Sequence, residues 1–370
     1  MVTIGITGQQ GFIGTHLYHF LKLQKDVTLI VFSRSFFDDP SALRDFVSHC
    51  DVIVHLAGMN RGDDKELYDT NLTLAQKLLD ALTHAHVTPH VIFSSSAHID
   101  RDTPYGRSKK QCGELLLAWG KKTGALVSVL VIPNVYGEGC RPFYNSAVAT
   151  FCYQLTHGET PVIHQDTSLS LISAFDLVRF VYSVVHDTSL VGVVSVTPTT
   201  TLPVSHLLGL LQDFTKLYLD QRIIPLLDTS FHVTLFNTFR SHIDDQSFPL
   251  PLYSDARGSL FEIVKLVQGG QVFFSTTRPG IVRGNHYHTR KIERFCVVQG
   301  KALIQMRHIG TRFVRDYTVS GESPTLVDIP VFYTHSITNI GEDNLLTLFW
   351  ANEIFDAADP DTFPEVVVLS

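Results

Sequence analysis

The first fourteen residues restrict the fold more than any other stretch of the chain. Val2 to Thr7 is a short apolar run of β type, and Gly8, Gly11 and Gly14 follow it at regular spacing. Phe12 and Ile13 open a helical pattern that continues through Leu17, Phe20 and Leu21. A strand, a glycine turn and a helix in that order bring backbone N–H groups and a helix N-terminus up to a pyrophosphate. The spacing is shifted from the common dinucleotide fingerprint, yet the context is the one that fingerprint requires. Gly8, Gly11, Phe12, Ile13 and Gly14 are therefore expected to hold the phosphates of a dinucleotide.

Strands and helices then alternate. The strand Val27 to Phe32 ends in Ser33-Arg34, where an acidic residue would select free ribose hydroxyls. A hydroxyl and a guanidinium suit a 2′-phosphate instead, so the expected cofactor is NADPH. Asp38 and Asp39 follow closely and leave open that Arg34 only solvates a loop. Asp51 to Leu56 is a third strand, and Ala57-Gly58 at its end are small enough for a cofactor to lie across them. A helical run from Leu67 to Leu79 leads to the strand Val91 to Phe93 and to Ser94-Ser95-Ser96. Such alternation predicts an α/β fold with a doubly wound parallel sheet of Rossmann type and ligands at the carboxyl ends of its strands.

Tyr105 and Lys109 stand four apart in Tyr105-Gly106-Arg107-Ser108-Lys109, on one helix face. An ammonium there is expected to lower the phenol pKa from about 10 towards neutrality, making Tyr105 a general acid or base. The glycine turn, the serine run and this Tyr-x-x-x-Lys together resemble the extended short-chain dehydrogenase/reductases that modify nucleotide sugars. Pro133-Asn134-Val135-Tyr136-Gly137 looks like the segment such enzymes place beside the sugar diphosphate. The resemblance implies Ser96 as the catalytic hydroxyl, Tyr105 as the acid, Lys109 as pKa modulator and ribose contact, and Asn134 as a substrate contact. It covers Val2 to about Asp187 and fades across Thr188 to Gln246. His84, His86 and His90 end a helical run and are read as ordinary residues there.

Composition narrows the function classes. With 44% hydrophobic and 18% charged residues and a net charge of -7, the chain offers no basic stripe for nucleic acid. Five cysteines without a C-x-x-C pair suggest neither a disulfide framework nor a thiolate metal site. No leader or membrane span is read, so a cytoplasmic protein is expected.

The pattern changes near Gln246, dividing the 370 residues into an expected reductase domain, 1–246, and a second domain, 247–370. From Ser259 onward short strands alternate with glycine or proline turns, which predicts an all-β sandwich or barrel. Two histidines at i and i+2, His286 and His288, point the same way from a strand, and Glu293 and His335 on neighbouring strands can complete a metal shell. Zinc suits a nitrogen-rich set with one carboxylate, although iron, manganese or nickel would accept it. The spacing resembles the two cupin motifs. One departure is plain, since Phe332 stands where a glycine is usual between Pro330 and His335.

A reductase followed by a metal cupin resembles the bifunctional capsular-polysaccharide enzymes that make the precursor of UDP-N-acetyl-L-fucosamine. The run Tyr144 to Tyr153 and Gly284-Asn285-His286 carry that likeness further along the chain. It implies a UDP-sugar substrate, a cupin that epimerises carbon 3 of a UDP-4-keto-6-deoxy-N-acetylhexosamine, and a reductase that takes the 4-keto group to UDP-2-acetamido-2,6-dideoxy-L-talose with NADPH. A homodimer is the expected assembly. His308, Tyr287, Tyr333 and Lys265 all stand as candidates for the epimerising base. Two other readings stay open: a monofunctional 4-ketosugar reductase with a structural or dimerising cupin, and an NADPH-sensing regulatory protein.

Overall fold

The computed structural model describes residues 1–244 and 247–369, and the chain divides into two compact units. The first comprises Met1–Gln212 and Asp228–Asp244. Its elements run β1 (Val2–Thr7), α1 (Phe12–Lys22), β2 (Val27–Ile30), α2 (Pro40–Ser48), β3 (Val52–His55), α3 (Asp64–Ala85), β4 (His90–Ser96), α4 (Pro104–Thr123) and β5 (Val127–Ile132). They continue with β6 (Asn134–Tyr136), α5 (Ala147–Thr156), β7 (Ser168–Ser173), α6 (Ala174–His186), β8 (Gly192–Ser195), β9 (Thr200–Pro203), α7 (Val204–Phe214) and α8 (Ser230–Arg240).

A six-stranded sheet of order β2-β1-β3-β4-β5-β8 is parallel throughout. Its strands read as apolar runs because both faces are covered. On one face Phe46, Val47, Leu78, Leu82 and Leu116 from α2, α3 and α4 pack on Ile53, Val91, Phe93 and Val129. On the other, Leu17 and Leu21 of α1 and Leu177, Val181 and Val184 of α6 pack on Ile4, Ile6, Val54 and Leu130. The strand order reverses at β1 and β3, so their carboxyl ends open a crevice where ligands of such sheets bind.

The second unit comprises Asp213–Leu227 and Asp245–Ser370. Its strands are β10 (Tyr253–Asp255), β11 (Gly258–Leu266), β12 (Gly270–Thr277), β13 (Val282–Tyr287), β14 (Glu293–Gln299), β15 (Lys301–His308), β16 (Val314–Ser320), β17 (Leu326–Ile329), β18 (Tyr333–Asn339), β19 (Leu345–Ala351) and β20 (Phe363–Pro364). They form two sheets, β10-β11-β12-β19-β14-β17 and β16-β15-β18-β13-β20. Phe295, Val297, Val327 and Phe349 of the first meet Ile304, Met306, Val319 and Ile337 of the second in one apolar core. This is an all-β unit of facing sheets.

One segment departs from the expected division at residue 246. Residues 213–227 belong with the β unit, where Ile224 N–H donates to Lys265 O at 2.8 Å and Val267 N–H donates to Ile224 O at 3.1 Å. The Arg222 guanidinium lies 4.3 Å from the Phe248 ring centroid. The chain then returns to the α/β unit through α8, whose Thr234 Oγ1 lies 2.7 Å from Tyr136 Oη. Among the described residues no helix is long and apolar enough to cross a membrane.

Candidate functional site

Gly8 follows β1 with φ +76°, and a Cβ there would lie 2.7 Å from Ala57 N. A side chain is therefore excluded twice, by conformation and by the neighbouring strand end. Gly14 is packed so closely on the turn that a Cβ would lie 2.2 Å from Gly8 O. Gly11 is the N-cap of α1, and no side chain caps the helix. The first N–H groups of α1, including those of Phe12 and Ile13, thus stand at a small-residue turn facing the crevice side, which fits a phosphate-bearing dinucleotide.

At the end of β2, Ser33 Oγ lies 2.8 Å from Ser35 Oγ, and Arg34 begins a short 3-10 turn, Arg34–Asp38. The neighbouring acids are engaged elsewhere: Asp38 pairs with Lys77 at 3.5 Å, and Asp39 caps α2 through Ser41 N and Ala42 N. Arg34 is exposed, and among the described residues it pairs with no carboxylate.

Two elements, β4 and α4, bring Ser96, Tyr105 and Lys109 together. Ser96 closes β4, and α4 starts at Pro104 under the cap of Thr103, whose Oγ1 accepts from Gly106 N at 3.1 Å. The Tyr105 phenol lies beside Ser96, whose side chain pulls its pKa down. Lys109 Nζ donates to Ser94 O at 2.8 Å and lies 6.0 Å from the Tyr105 ring centroid. A Cβ on Gly58 would be 3.7 Å from that same Nζ.

The electrostatics differ from the sequence expectation at Tyr105. Burial pushes the phenol up from its ordinary value, and the Ser96 side chain offsets this only in part. Lys109 itself is pushed down to about 8 by burial. The phenol is thus protonated at neutral pH, which suits a donor rather than an acceptor.

Two residues that the motifs do not mark shape this crevice. Asn71 is buried and accepts from Met59 N at 2.7 Å while its amide donates to Met59 O and to Ser108 Oγ, tying the Gly58 turn to α4. Its signal is an amide within the buried stripe Leu67, Asn71, Ala75, Leu78 of α3. His98 donates its backbone N–H to Ser96 Oγ at 3.1 Å and places Nε2 3.2 Å from Asn134 Oδ1. Asn134, half-buried on β6, thereby joins the crevice near Ser96.

In the β unit His286, His288, Glu293 and His335 converge, with all four ligand-type atoms within 4.8 Å of one another. A bulge makes this possible. Between Gly284 (φ +97°) and His286 the register of β13 against β18 slips by one residue, Asn285 adopting φ +59°, so that His286 faces His335. Glu293 Oε2 lies 3.1 Å from His335 Nε2 and 3.4 Å from His288 Nε2. Backbone carbonyls hold the Nδ1 atoms of both histidines, Asp361 O lying 2.5 Å from that of His288 and Tyr333 O 3.3 Å from that of His335.

His288 Nε2 is buried without a hydrogen-bond partner. Burial pushes His286 down to about 4, which keeps it neutral. Burial raises the Glu293 carboxyl, but the two histidines beside it outweigh burial and hold it below the usual carboxylate range. Three imidazoles converging on an ionised carboxylate, with one buried nitrogen that lacks a hydrogen-bond partner, form a donor set that fits a divalent cation. Phe332 adopts φ +62°, so the position usual for glycine keeps its left-handed backbone with a phenylalanine on it. Its N–H donates to His288 O at 2.8 Å.

Of the four candidate bases, His308 and Tyr333 stand with ring centroids 5.2 Å apart, Tyr287 stacks on Phe363, and Lys265 pairs with Glu262 at 3.3 Å.

Residues 4–191 match the NAD dependent epimerase/dehydratase family, and residues 253–363 match the polysaccharide biosynthesis C-terminal domain. A Pseudomonas aeruginosa UDP-2-acetamido-2,6-beta-L-arabino-hexul-4-ose reductase is 32% identical over 367 residues, 97% of each chain. The crystal structure of the capsular polysaccharide assembling protein CapF from Staphylococcus aureus superposes with TM-score 0.87 at 35% identity, covering 99% of this chain and all of that one. RMD from Pseudomonas aeruginosa, solved with NADPH, shares the fold over 65% of this chain and 100% of its own, with TM-score 0.57 and 19% identity. The chain therefore belongs to the NAD-dependent epimerase/dehydratase family, in its two-domain capsular-polysaccharide form with a polysaccharide biosynthesis domain at the C-terminus.

Proposed function

We propose that the α/β unit reduces the 4-keto group of a UDP-4-keto-6-deoxy-N-acetylhexosamine, and that the β unit epimerises carbon 3 of that sugar beforehand. The observation that carries the reading is the convergence of Ser96, Tyr105 and Lys109 at the carboxyl end of β4, with Lys109 Nζ 6.0 Å from the Tyr105 ring centroid. The glycine turn, Ala57-Gly58 and Ser33-Arg34 would hold NADPH, which would supply the hydride. Tyr105 delivers its proton to the ketone oxygen, and Ser96 orients that oxygen by a second hydrogen bond. Lys109, fixed on Ser94 O, favours the phenolate left behind and would contact the cofactor ribose. Asn134 and His98 lie where the sugar diphosphate would rest. The product of both steps is UDP-2-acetamido-2,6-dideoxy-L-talose.

In the β unit His286, His288, Glu293 and His335 would hold a divalent cation, zinc by its preference for nitrogen with one carboxylate. Such a cation stabilises an oxyanion on a neighbouring ketone, which is what makes an adjacent carbon acidic. Incubating the protein with NADPH and a UDP-4-keto-6-deoxy sugar, and following NADPH absorbance, tests the reductase reading. Oxidation that needs the sugar and vanishes in Tyr105→Phe supports it; no oxidation by wild type, or an unchanged rate in the variant, rejects it.

A further inference from the structure

His288 is held by a residue far along the chain. Its Nδ1 lies 2.5 Å from the backbone oxygen of Asp361, a contact that is favourable only when Nδ1 carries the proton. In the neutral ring the lone pair then sits on Nε2, the buried atom that lacks a hydrogen-bond partner and faces Glu293. A backbone carbonyl alone is free to rotate away. Here it is fixed, because the Asp361 carboxylate takes every backbone donor of the turn Thr289–Lys291 and the Thr289 hydroxyl as well. Thr289 N and Oγ1 donate to Oδ1 at 3.1 and 2.6 Å, and Arg290 N and Lys291 N donate to Oδ2 at 3.0 and 2.8 Å.

The last strand carries the same segment onto the ligand strands. His286 pairs with Pro364, Glu365 N donates to Asn285 O at 2.9 Å, and Val367 N donates to Asn285 Oδ1 at 3.1 Å. Asp361 is 3% exposed and adopts φ +41°, a backbone conformation that aspartate and asparagine tolerate better than most side chains.

We infer that Asp361 is a positioning residue for the metal centre: its carboxylate clamps the turn Thr289–Lys291, and its carbonyl fixes the tautomer and ring orientation of His288. The inference rests on reading His286, His288, Glu293 and His335 as metal ligands. Partners of this kind change metal affinity by about 10- to 100-fold when removed. Asp361→Ala deletes all four clamps. Asp361→Asn keeps an oxygen for Thr289 but turns an NH2 group toward the N–H groups of Arg290 and Lys291.

The experiment is a chelator competition with Zn2+ on metal-depleted full-length protein, repeated with Co2+ to record the ligand-field spectrum. Asn339→Ala serves as control, since it removes buried hydrogen bonds to Thr277 O, Asp343 O and Gly341 N elsewhere in the same unit. Expected are Zn2+ binding about 10- to 100-fold weaker in Asp361→Ala, an intermediate loss in Asp361→Asn, a shifted Co2+ spectrum in both, and wild-type affinity in the control. Wild-type affinity and spectrum in folded Asp361→Asn would overturn the inference while leaving the metal reading intact. So would equal losses in Asp361→Ala and Asn339→Ala, which would make the effect one of general loosening. If wild-type protein binds neither ion, the metal reading itself fails and this inference with it.

Discussion

Lys109 shows what burying an ammonium costs the fold. Its ammonium is buried and pushed down to about 8 from about 10.5 in the unfolded chain, so below pH 8 the folded state carries a charge it would rather not bury. Between those values the unfolded chain binds more protons than the folded one, so this contribution to stability rises with pH across the window. The penalty at neutral pH is about 3 kcal/mol, less about 1 kcal/mol for the hydrogen bond to Ser94 O. Lys109→Met should therefore unfold in urea with about 2 kcal/mol more stability at pH 7, an advantage that shrinks above pH 8, while ketone reduction is lost. A less stable variant at pH 7 would show that the ammonium is better solvated than its burial implies. Arg34 tests cofactor choice in the same way. With Asp38 and Asp39 engaged elsewhere, its guanidinium is available to a 2′-phosphate, so Arg34→Ala should weaken NADPH binding about 10- to 100-fold and NADH binding little. Equal losses for both would remove the phosphate contact.

The bulge in β13 is the device that turns a strand into a ligand platform. Gly284 cannot carry a side chain, since its φ is +97° and a Cβ would lie 2.6 Å from His335 O. Gly284→Ala should destabilise the β unit by about 2 kcal/mol or more and release bound metal, because restoring an ordinary strand moves His286 away from His335. Calorimetry with metal analysis checks this; a variant that melts like wild type and keeps its metal would mean the register survives without glycine. The His-x-His, Glu and His spacing was legible from sequence because strand periodicity fixes which side chains share a face. What the spacing could not show was Asp361, which reaches His288 only through the path of the last strand. Phe332 likewise looked like a break in the motif, yet the backbone there keeps φ +62° and the turn stands. In the α/β unit the glycine turn and the Tyr-x-x-x-Lys were legible because both are local. The upward shift of Tyr105 was not, since it comes from burial by residues distant in sequence.

The division of the chain follows the same rule, with local patterns readable and returns of the chain hidden. Residues 213–227 join the β unit through backbone bonds to Lys265 and Val267, and no composition change marks the excursion. On the proposed reading each unit nevertheless carries its own constellation, one to give a proton to a ketone oxygen and the other to hold a cation beside one. Neither set contains the groups for the other's step, so the two activities should separate by single substitutions. Tyr105→Phe removes one hydroxyl and leaves the metal-type cluster untouched; in heavy water it should still exchange the substrate hydrogen at carbon 3 for deuterium, as enolisation needs no nicotinamide. His288→Ala removes the nitrogen that faces Glu293 and should lose metal and exchange together. It should still oxidise NADPH on a 4-ketosugar of acceptable shape, yielding the product with carbon 3 unepimerised. Mass spectrometry of recovered substrate and NMR of the product read both arms. If folded His288→Ala exchanges deuterium at the wild-type rate, the cluster plays no part in epimerisation, and the β unit is a structural partner to a monofunctional reductase.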